Sequence, residues 1–435
     1  MIYNIIRGGK TMLIEFSVKN FLSFREKVTL SMEKGTGDEN QDNVIDLNDI
    51  EILKIASIYG ANASGKSSFL KAFTCAILMI RNSTFIPLNG KWMFLKPFLF
   101  DDESKKKPTE FEFVFISNDI KYKYSFSADV DKIYSESLEA YYSQKSTTIF
   151  SRNNINKYKF LIPDEAKLKS IVSKNTDNKL FLSTASNWNY DKTKDAYLCF
   201  MNSIDTYDSL GTITTNDLKS YSENDLTLKK FTLKLLKESD IFIKDFNVDY
   251  EEKEMDNLTR DMIIPPMMQS VNNPTVTNIK IELIHEIKTK DNKTKTYNLN
   301  FDDESSGTKI LFALAPFLKR AFEETKIIII DELEKSLHPT LVEYLIKIFN
   351  NNKINKAGSQ LIFTTHATNL LNLKILRRDQ IWFVEKNPEN CVSDLYPLDS
   401  FSVRKNENIE KGYINGRYGA IPFINDINLW QEETK

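Results

Sequence analysis

Gly60-Ala61-Asn62-Ala63-Ser64-Gly65-Lys66-Ser67 is the stretch of this chain that decides its fold. It matches the phosphate-binding loop pattern G-x-x-x-x-G-K-[ST] at every fixed position. The apolar residues 52–59 before it predict a short buried strand, and residues 67–81 after it are apolar at helical spacing. A strand, a glycine loop and a helix in this order direct backbone N–H groups and a helix N-terminus at a phosphate.

The loop predicts a site for ATP and Mg²⁺. Lys66 is expected to reach the β- and γ-phosphates, and the Ser67 hydroxyl is expected to bind Mg²⁺. The predicted nucleotide-binding residues of this segment are Gly60, Asn62, Ala63, Ser64, Gly65, Lys66, Ser67 and Ser68. The alternative is a glycine-rich turn that matches the pattern by accident, and the strand and helix on either side count against it.

The composition is that of a soluble globular protein of 435 residues, 41% hydrophobic and 27% charged, with one large domain or two to three smaller ones. The net charge of -2 gives no support for binding to nucleic acid or to a membrane. Three cysteines without a C-x-x-C pair argue against a zinc site and a disulfide framework, and they favour a reducing cytoplasm. No apolar run approaches the roughly 20 residues that span a bilayer.

A second candidate strand carries two carboxylates at its end. Residues 326–330 are almost entirely apolar, which is typical of a central parallel strand buried on both faces. Asp331 and Glu332 follow directly, at the edge where an open α/β sheet places its ligands. Asp331 is expected to join the Mg²⁺ shell, and Glu332 is expected to act as the general base on the attacking water.

Two further segments point to the same edge. Residues 360–364 predict another buried strand, and His366 follows it as a candidate contact of the γ-phosphate. A purely structural histidine is the alternative. Ser306-Gly307 opens an apolar helix and offers N–H groups and a hydroxyl to a phosphate, unless it is a plain N-cap.

Together these motifs resemble the ATPase heads of the ABC and SMC type. The elements that carry the resemblance are the phosphate loop, Ser306-Gly307, the strand ending in Asp331-Glu332, the run Leu333-Glu334-Lys335-Ser336-Leu337-His338-Pro339 and the strand before His366. More narrowly, with the late run Gly416-Arg417-Tyr418-Gly419-Ala420-Ile421-Pro422, the chain resembles the compact AAA-type ATPases of bacterial phage-defence loci. These include the ATPase components of PARIS-like systems and of loci that encode an RloB-like partner.

The resemblance implies that two heads pair on ATP, with Ser306-Gly307 of one chain capping the nucleotide held by the other. It also implies a separate effector, such as a toprim or RloB-like nuclease. Two features depart from the pattern. The signature motif around Ser306-Gly307 reads Ser-Ser-Gly-Thr, where transporters have Ser-Gly-Gly-Gln. No glutamine can be assigned to the position that contacts the metal and the attacking water in this family, and nothing in the sequence supports Gln144 for it.

The predicted fold class is therefore α/β, a P-loop NTPase head of the ABC/SMC type with a mixed sheet and an inserted hairpin and helical region. Residues 1–116 form the predicted N-terminal lobe, 117–277 the insertion and 278–435 the C-terminal lobe. Residues 111–116 and 121–126 predict a hairpin whose alternating aromatics and lysines indicate one buried and one solvated face, although a nucleic-acid face has the same pattern. Met12 is hypothesised to be the physiological start.

Three functions compete. The first is a Mg²⁺-dependent ATPase that dimerises on ATP and controls a partner effector in phage defence. The second is an ATPase-linked nuclease with its own catalytic centre, and the third is an ATP-binding scaffold or sensor with little turnover. The C-terminal run around Arg417 is a candidate partner surface, with packing of the chain end onto the sheet as the alternative.

Overall fold

The structure is a computed structural model that describes residues 9–47, 49–160, 164–209, 218, 220–223, 225–254, 275–335, 337–404 and 407–422. Its contacts group into two compact units. The first unit comprises Met1–Asp208, Phe322–Glu334 and Leu345–Lys435, and the second comprises Ser209–Ala321 and Lys335–Tyr344.

A six-stranded, mostly parallel sheet carries the motifs of the first unit. In spatial order its strands are β11 (Ile204–Tyr207), β15 (Ile327–Ile330), β16 (Gln360–Thr364), β5 (Ile55–Tyr59), β17 (Ile381–Lys386) and β18 (Ser393–Pro397). Only β18 of these six is antiparallel to its neighbour. Strands β5, β15 and β16 are buried along their whole lengths, which explains their continuous apolar sequences.

A seven-stranded antiparallel sheet forms the other layer of the first unit. In spatial order its strands are β10 (Lys157–Lys159), β9 (Thr147–Asn153), β8 (Ile133–Tyr141), β7 (Ile120–Ala128), β6 (Thr109–Ser117), β1 (Met12–Lys19) and β2 (Val28–Ser31). A small hairpin of β3 (Val44–Asp46) and β4 (Glu51–Leu53) accompanies it. Tyr122, Tyr124 and Phe126 of β7 are buried, as the prediction of one buried face requires.

Helix α1 (Lys66–Asn82) joins the two sheets through one hydrophobic core. On the antiparallel sheet, the Phe16 ring lies 4.3 Å from that of Phe73, and the Phe113 ring lies 5.4 Å from the same ring, between centroids. Ile58 and Ile329 of the parallel sheet belong to the same buried cluster. The phosphate loop is therefore held between a buried strand and a buried helix.

Shorter helices complete the first unit. They are α2 (Glu165–Val172), α3 (Phe181–Asn187), α4 (Asp191–Leu198) and α8 (Ile409–Ile414). Helix α7 (Pro339–Asn350) contributes its residues from 345 onward. None of the helices in the described part of the chain has the length and apolar content that crossing a bilayer requires.

In its described residues, the second unit contains a three-stranded antiparallel sheet, two helices and the first residues of α7. Its elements are α5 (Leu226–Glu238), β12 (Asp245–Glu254), β13 (Thr275–Lys288), β14 (Thr294–Asn300) and residues 306–321 of α6 (Ser306–Glu323). The Phe312 ring of α6 packs 4.8 Å from that of Phe246 on β12, and Tyr221 donates its hydroxyl to the Phe312 carbonyl at 2.7 Å.

The predicted fold class is confirmed, and the predicted hairpin of residues 111–116 and 121–126 is present as β6–β7. One element is corrected. The apolar spacing over residues 192–240 indicates helix, but Ile204–Tyr207 form an edge strand paired in parallel with β15. Residue 116, the predicted end of the N-terminal lobe, lies within β6, which pairs with β7 in one sheet. The lobe boundaries stay a prediction. The proline-containing segment 251–278 favours a loop, but its residues 251–254 and 275–278 belong to β12 and β13, and residues 255–274 lie outside the described residues.

Candidate nucleotide site

The phosphate loop is a tight connection between β5 and α1. Gly60 has no room for a side chain, because an added Cβ would lie 2.4 Å from the Val384 carbonyl oxygen. Gly65 adopts φ +119°, and its Cβ would lie 2.6 Å from the Ser393 hydroxyl. Lys66 is buried and donates from Nζ to the carbonyl oxygens of Gly60 at 2.7 Å and Ala61 at 3.0 Å.

The loop has donors that fit a phosphate. The first intrahelical bond of α1 runs from the Phe69 N–H to the Gly65 carbonyl at 3.0 Å, so the N–H groups of Lys66, Ser67 and Ser68 have no intrahelical acceptor. The Ser64 hydroxyl is buried and has no hydrogen-bond partner among the described residues. A buried polar atom without a partner is costly, and a phosphate oxygen would satisfy it.

The acidic pair lies at the carboxyl end of β15, where Thr364 of β16 organises it. The Thr364 hydroxyl donates to Asp331 Oδ1 and accepts the Glu332 N–H at 2.8 Å. Glu332 adopts φ +49°, a left-handed conformation that is uncommon for a residue with a side chain and is often found at functional sites. Strand pairing between β15 and β16 therefore fixes the direction in which both carboxylates leave the sheet.

The predicted residues of the first unit converge on one place. Ser67 and Asp331 line the same cavity of about 560 Å³. Burial lowers the pKa of Lys66, and Asp331, Glu334 and Glu332 oppose this shift. Burial also lowers the pKa of His366, and the positive charge of Lys66 adds to this effect. The structure thus brings Lys66, Asp331, Glu332 and His366 within electrostatic reach of one another.

A family model described as "AAA domain, putative AbiEii toxin, Type IV TA system" matches residues 55–167 and 205–372, which is more than half of the chain. The chain belongs to this AAA-domain family. The match contains the phosphate loop, the acidic pair and His366. With the parallel sheet described above, it identifies a P-loop domain of the AAA type.

Several solved structures resemble this AAA-domain protein at low identity. The SMC head domain from Thermotoga maritima is 15% identical at a TM-score of 0.40, covering 88% of this chain and 98% of that one. An SMC head bound to the C-winged helix domain of ScpA is 14% identical at a TM-score of 0.36, and the match covers 88% of this chain and 97% of that one. The recombination mediator RecF with ATP is 14% identical at a TM-score of 0.35, and the match covers 91% of this chain and 100% of that one. A search of curated proteins gave no match.

The predicted nucleotide-capping step Ser306-Gly307 lies in the second unit of the AAA-domain protein, at the start of α6. The cap of this helix is Ser305, whose hydroxyl accepts the Thr308 N–H at 3.1 Å, and not Ser306. Ser306 is exposed, and among the residues that the structure describes a Cβ added to Gly307 would meet only the Ser305 hydroxyl, 4.0 Å away. Capping and packing within the unit therefore do not account for the Ser306-Gly307 step.

Sequence reasoning missed several residues of the site. Thr364 lies in a predicted strand and Glu334 lies in the run 333–339 that carries the family resemblance, but neither residue has a predicted role. Ser393 donates its hydroxyl to the Ser64 carbonyl at 2.6 Å and supports the loop from β18. Gln144 lies in the exposed turn between β8 and β9 and does not line the cavity that Ser67 and Asp331 share.

The C-terminal run packs onto the parallel sheet of the AAA domain. Tyr418 is buried, its ring stacks on Phe383 with centroids 5.8 Å apart, and its hydroxyl donates to Glu407 at 2.8 Å. Arg417 is more than half exposed and pairs with the same Glu407. The packing alternative therefore accounts for Tyr418, whereas Arg417 still presents its side chain to solvent.

Because Tyr418 is buried and Arg417 is exposed, alanine substitutions at these two neighbours should have different effects on stability. Tyr418→Ala should destabilise the protein by about 3–5 kcal/mol, because a buried aromatic ring is lost. Arg417→Ala should change the free energy of unfolding by less than about 1 kcal/mol, since exposed ion pairs contribute little. Chemical denaturation of both variants measures this, and equal losses of stability would contradict it.

Alanine substitutions at Gly65 and Gly307 make the same chemical change at a crowded and at an open position. Gly65→Ala should cost about 1–3 kcal/mol of strain, because φ is left-handed and two serine hydroxyls crowd the new methyl group. ATP affinity should fall with it, since the loop must shift. Gly307→Ala should leave the melting temperature unchanged or raise it, because the site is open and alanine favours a helix by up to about 1 kcal/mol. Thermal unfolding of both variants with and without ATP measures these effects. A Gly65→Ala protein with the melting temperature and ATP affinity of wild type would refute the crowding at Gly65.

Proposed function

We propose that this protein is a Mg²⁺-dependent ATPase whose heads pair on ATP and control a separate effector in phage defence. The observation that carries the proposal is the meeting of Lys66 and the acidic pair at the carboxyl edge of one parallel sheet. A P-loop and a strand ending in two acids are the parts that phosphoryl transfer needs. Family membership supports the same reaction class.

Each residue has a role in this proposal. The loop N–H groups and the Ser64 hydroxyl would hold the phosphate oxygens, and Lys66 would leave its two carbonyl partners for the β- and γ-phosphates. Ser67 and Asp331 would hold Mg²⁺, whose charge neutralises the phosphate oxygens during hydrolysis. His366 would contact the γ-phosphate.

The reaction is hydrolysis of the terminal phosphoanhydride. A water oxygen attacks the γ-phosphorus, and the bond to the bridging oxygen breaks, so that ADP leaves with the electron pair of that bond. Glu332 takes the proton of the attacking water. A positioned base of this kind typically contributes about 10²–10⁴-fold to the rate.

Pairing of heads and effector control form the outer part of the proposal. The exposed Ser306 and the open Gly307 at a helix start are suited to cap a nucleotide held by a second copy. The family of this chain is described as a putative AbiEii toxin of a type IV TA system, which supports a role in bacterial conflict. The effector would be a separate protein, such as a toprim or RloB-like nuclease, acting in the cytoplasm.

Steady-state ATP turnover by the pure protein tests the core of the proposal. Phosphate release should require Mg²⁺, stop with EDTA and disappear in Lys66→Ala protein purified in the same way, which controls for contaminating ATPases. Binding without turnover would favour the scaffold alternative. Cleavage of plasmid by the protein alone with Mg²⁺ would favour the nuclease alternative, for which the described residues offer no group of three or more candidate metal ligands.

A further inference from the structure

Glu334 connects the ends of two neighbouring strands of the parallel sheet. It is the fourth residue after β15, in the turn that continues through Lys335. Its Oε1 accepts the backbone N–H of His366, beyond β16, at 2.6 Å. The N–H of Leu333 donates to the Thr364 carbonyl at 3.1 Å in the same connection. The backbone position of His366 is thus tied to the acidic turn through a carboxylate.

The second oxygen of this carboxylate is unused. Glu334 Oε2 is buried and has no hydrogen-bond partner among the described residues. An ionised oxygen that is removed from water without a donor carries a desolvation cost of at least about 1–3 kcal/mol. Such atoms in native proteins are usually satisfied by an ordered water or a ligand, or they have a catalytic role.

The surroundings of Glu334 are those of the nucleotide site. Its negative charge raises the pKa of Lys66 against the effect of burial, and it does the same for His366. It also adds to the raised pKa of Tyr59, the last residue of β5 before the phosphate loop, a shift that burial dominates. Glu334 therefore lies among the loop lysine, the end of β5 and His366.

We propose that Glu334 is a positioning residue for ATP hydrolysis, with one oxygen fixing the backbone of His366 and the other accepting a hydrogen bond from a water molecule at the phosphate edge. The inference rests on the proposed function and extends it to a residue outside the acidic pair. Glu332 still takes the proton, and Glu334 forms and breaks no covalent bond.

The Glu334→Gln substitution tests the two carboxylate oxygens of Glu334 independently. In Glu334→Gln the side-chain carbonyl can still accept the His366 N–H, but the NH₂ group cannot accept a hydrogen bond from water. We expect kcat to fall by about 10²-fold, the size of effect that a small misplacement at a reacting centre produces. KM for ATP and the melting temperature should stay close to wild type, because Lys66, Ser67 and Asp331 are untouched.

Two more variants complete the series. Glu334→Ala also removes the acceptor of the His366 N–H, so its kcat should fall below that of Glu334→Gln. Glutamine at this position should therefore restore part of the kcat that alanine loses. Glu389→Gln makes the same chemical change at an exposed turn between β17 and β18 and should behave as wild type. If the alanine variant fails to fold, the comparison between the two glutamine variants still decides.

The outcomes are distinct. A lowered kcat with unchanged KM and unchanged melting in Glu334→Gln supports the inference. A kcat within twofold of wild type overturns the inference alone and leaves the proposed ATPase intact. A lower melting temperature or lost ATP binding in Glu334→Gln shows a structural brace and overturns it as well. Wild-type protein without turnover above Lys66→Ala overturns the proposed function and this inference together.

Discussion

Glu332→Gln should reduce ATP turnover by about 10²–10⁴-fold, because glutamine keeps the shape of the side chain but cannot take a proton from water. Binding of ATP should survive, since the phosphate loop and Asp331 are unchanged. The Glu332 backbone N–H donates to Thr364 whatever the side chain is, so the turn should keep its conformation. Phosphate release and equilibrium binding measured on the same preparation test both halves of this expectation.

The same variant should accumulate as a dimer or higher assembly. ATP that is bound but not hydrolysed would persist between two heads, with Ser306-Gly307 of one chain against the nucleotide of the other. Light scattering with and without ATP and Mg²⁺ measures the change in mass. An unchanged mass with binding confirmed would show that nucleotide does not pair the heads.

A second substitution tests the signature itself. Ser306→Arg in the Glu332→Gln background places a large side chain at an exposed helix start, where it should not disturb folding. It should reverse the increase in mass by blocking approach to the γ-phosphate. If the dimer persists, Ser306-Gly307 is not the capping element, although the ATPase proposal stands.

Lys66→Ala should abolish turnover and weaken ATP binding. The ammonium is a buried positive charge that already holds two loop carbonyls, and its removal leaves the phosphates without their nearest cation. Loss of one partner of a buried charge pair costs about 2–5 kcal/mol, which is roughly 30- to 4,000-fold in affinity. Calorimetric titration of ATP in the presence of Mg²⁺ measures the loss.

Lys353→Ala is the matched control, because Lys353 is an exposed lysine in the turn after α7. It should bind and hydrolyse ATP as wild type does. Turnover of Lys66→Ala within a few-fold of wild type would refute the assignment of the phosphate site. An equal loss in both variants would instead indicate a general effect of net charge.

The local motifs of this chain could be predicted because their signals lie within a few residues. The phosphate loop has fixed glycines and a lysine, and β15 and β16 are continuous apolar runs because both of their faces are buried. The four-residue strand β11 could not be predicted, because its alternation is too short to be distinguished from the helical pattern around it. Its pairing with β15 decides its structure.

The supporting residues of the site depend on contacts between distant segments. Thr364 lies 33 residues from Asp331, and Ser393 lies 329 residues from the Ser64 carbonyl that it contacts. Glu334 meets His366 only because β15 and β16 pair in a particular register. Residue types alone do not reveal such pairings, so the sequence predicts the chemistry of the site better than its scaffold.

The order of strands in the parallel sheet has a consequence for synthesis on the ribosome. Strand β5, which carries the phosphate loop, pairs with β16 and β17, and Gln360 donates to the Leu53 carbonyl across 307 residues. At about 5–20 residues per second, the ribosome needs roughly 15–60 s to make the intervening chain. During that interval β5 lacks the two strands that bury it in the finished sheet. A nascent chain that stops before β17 should therefore be unable to retain ATP.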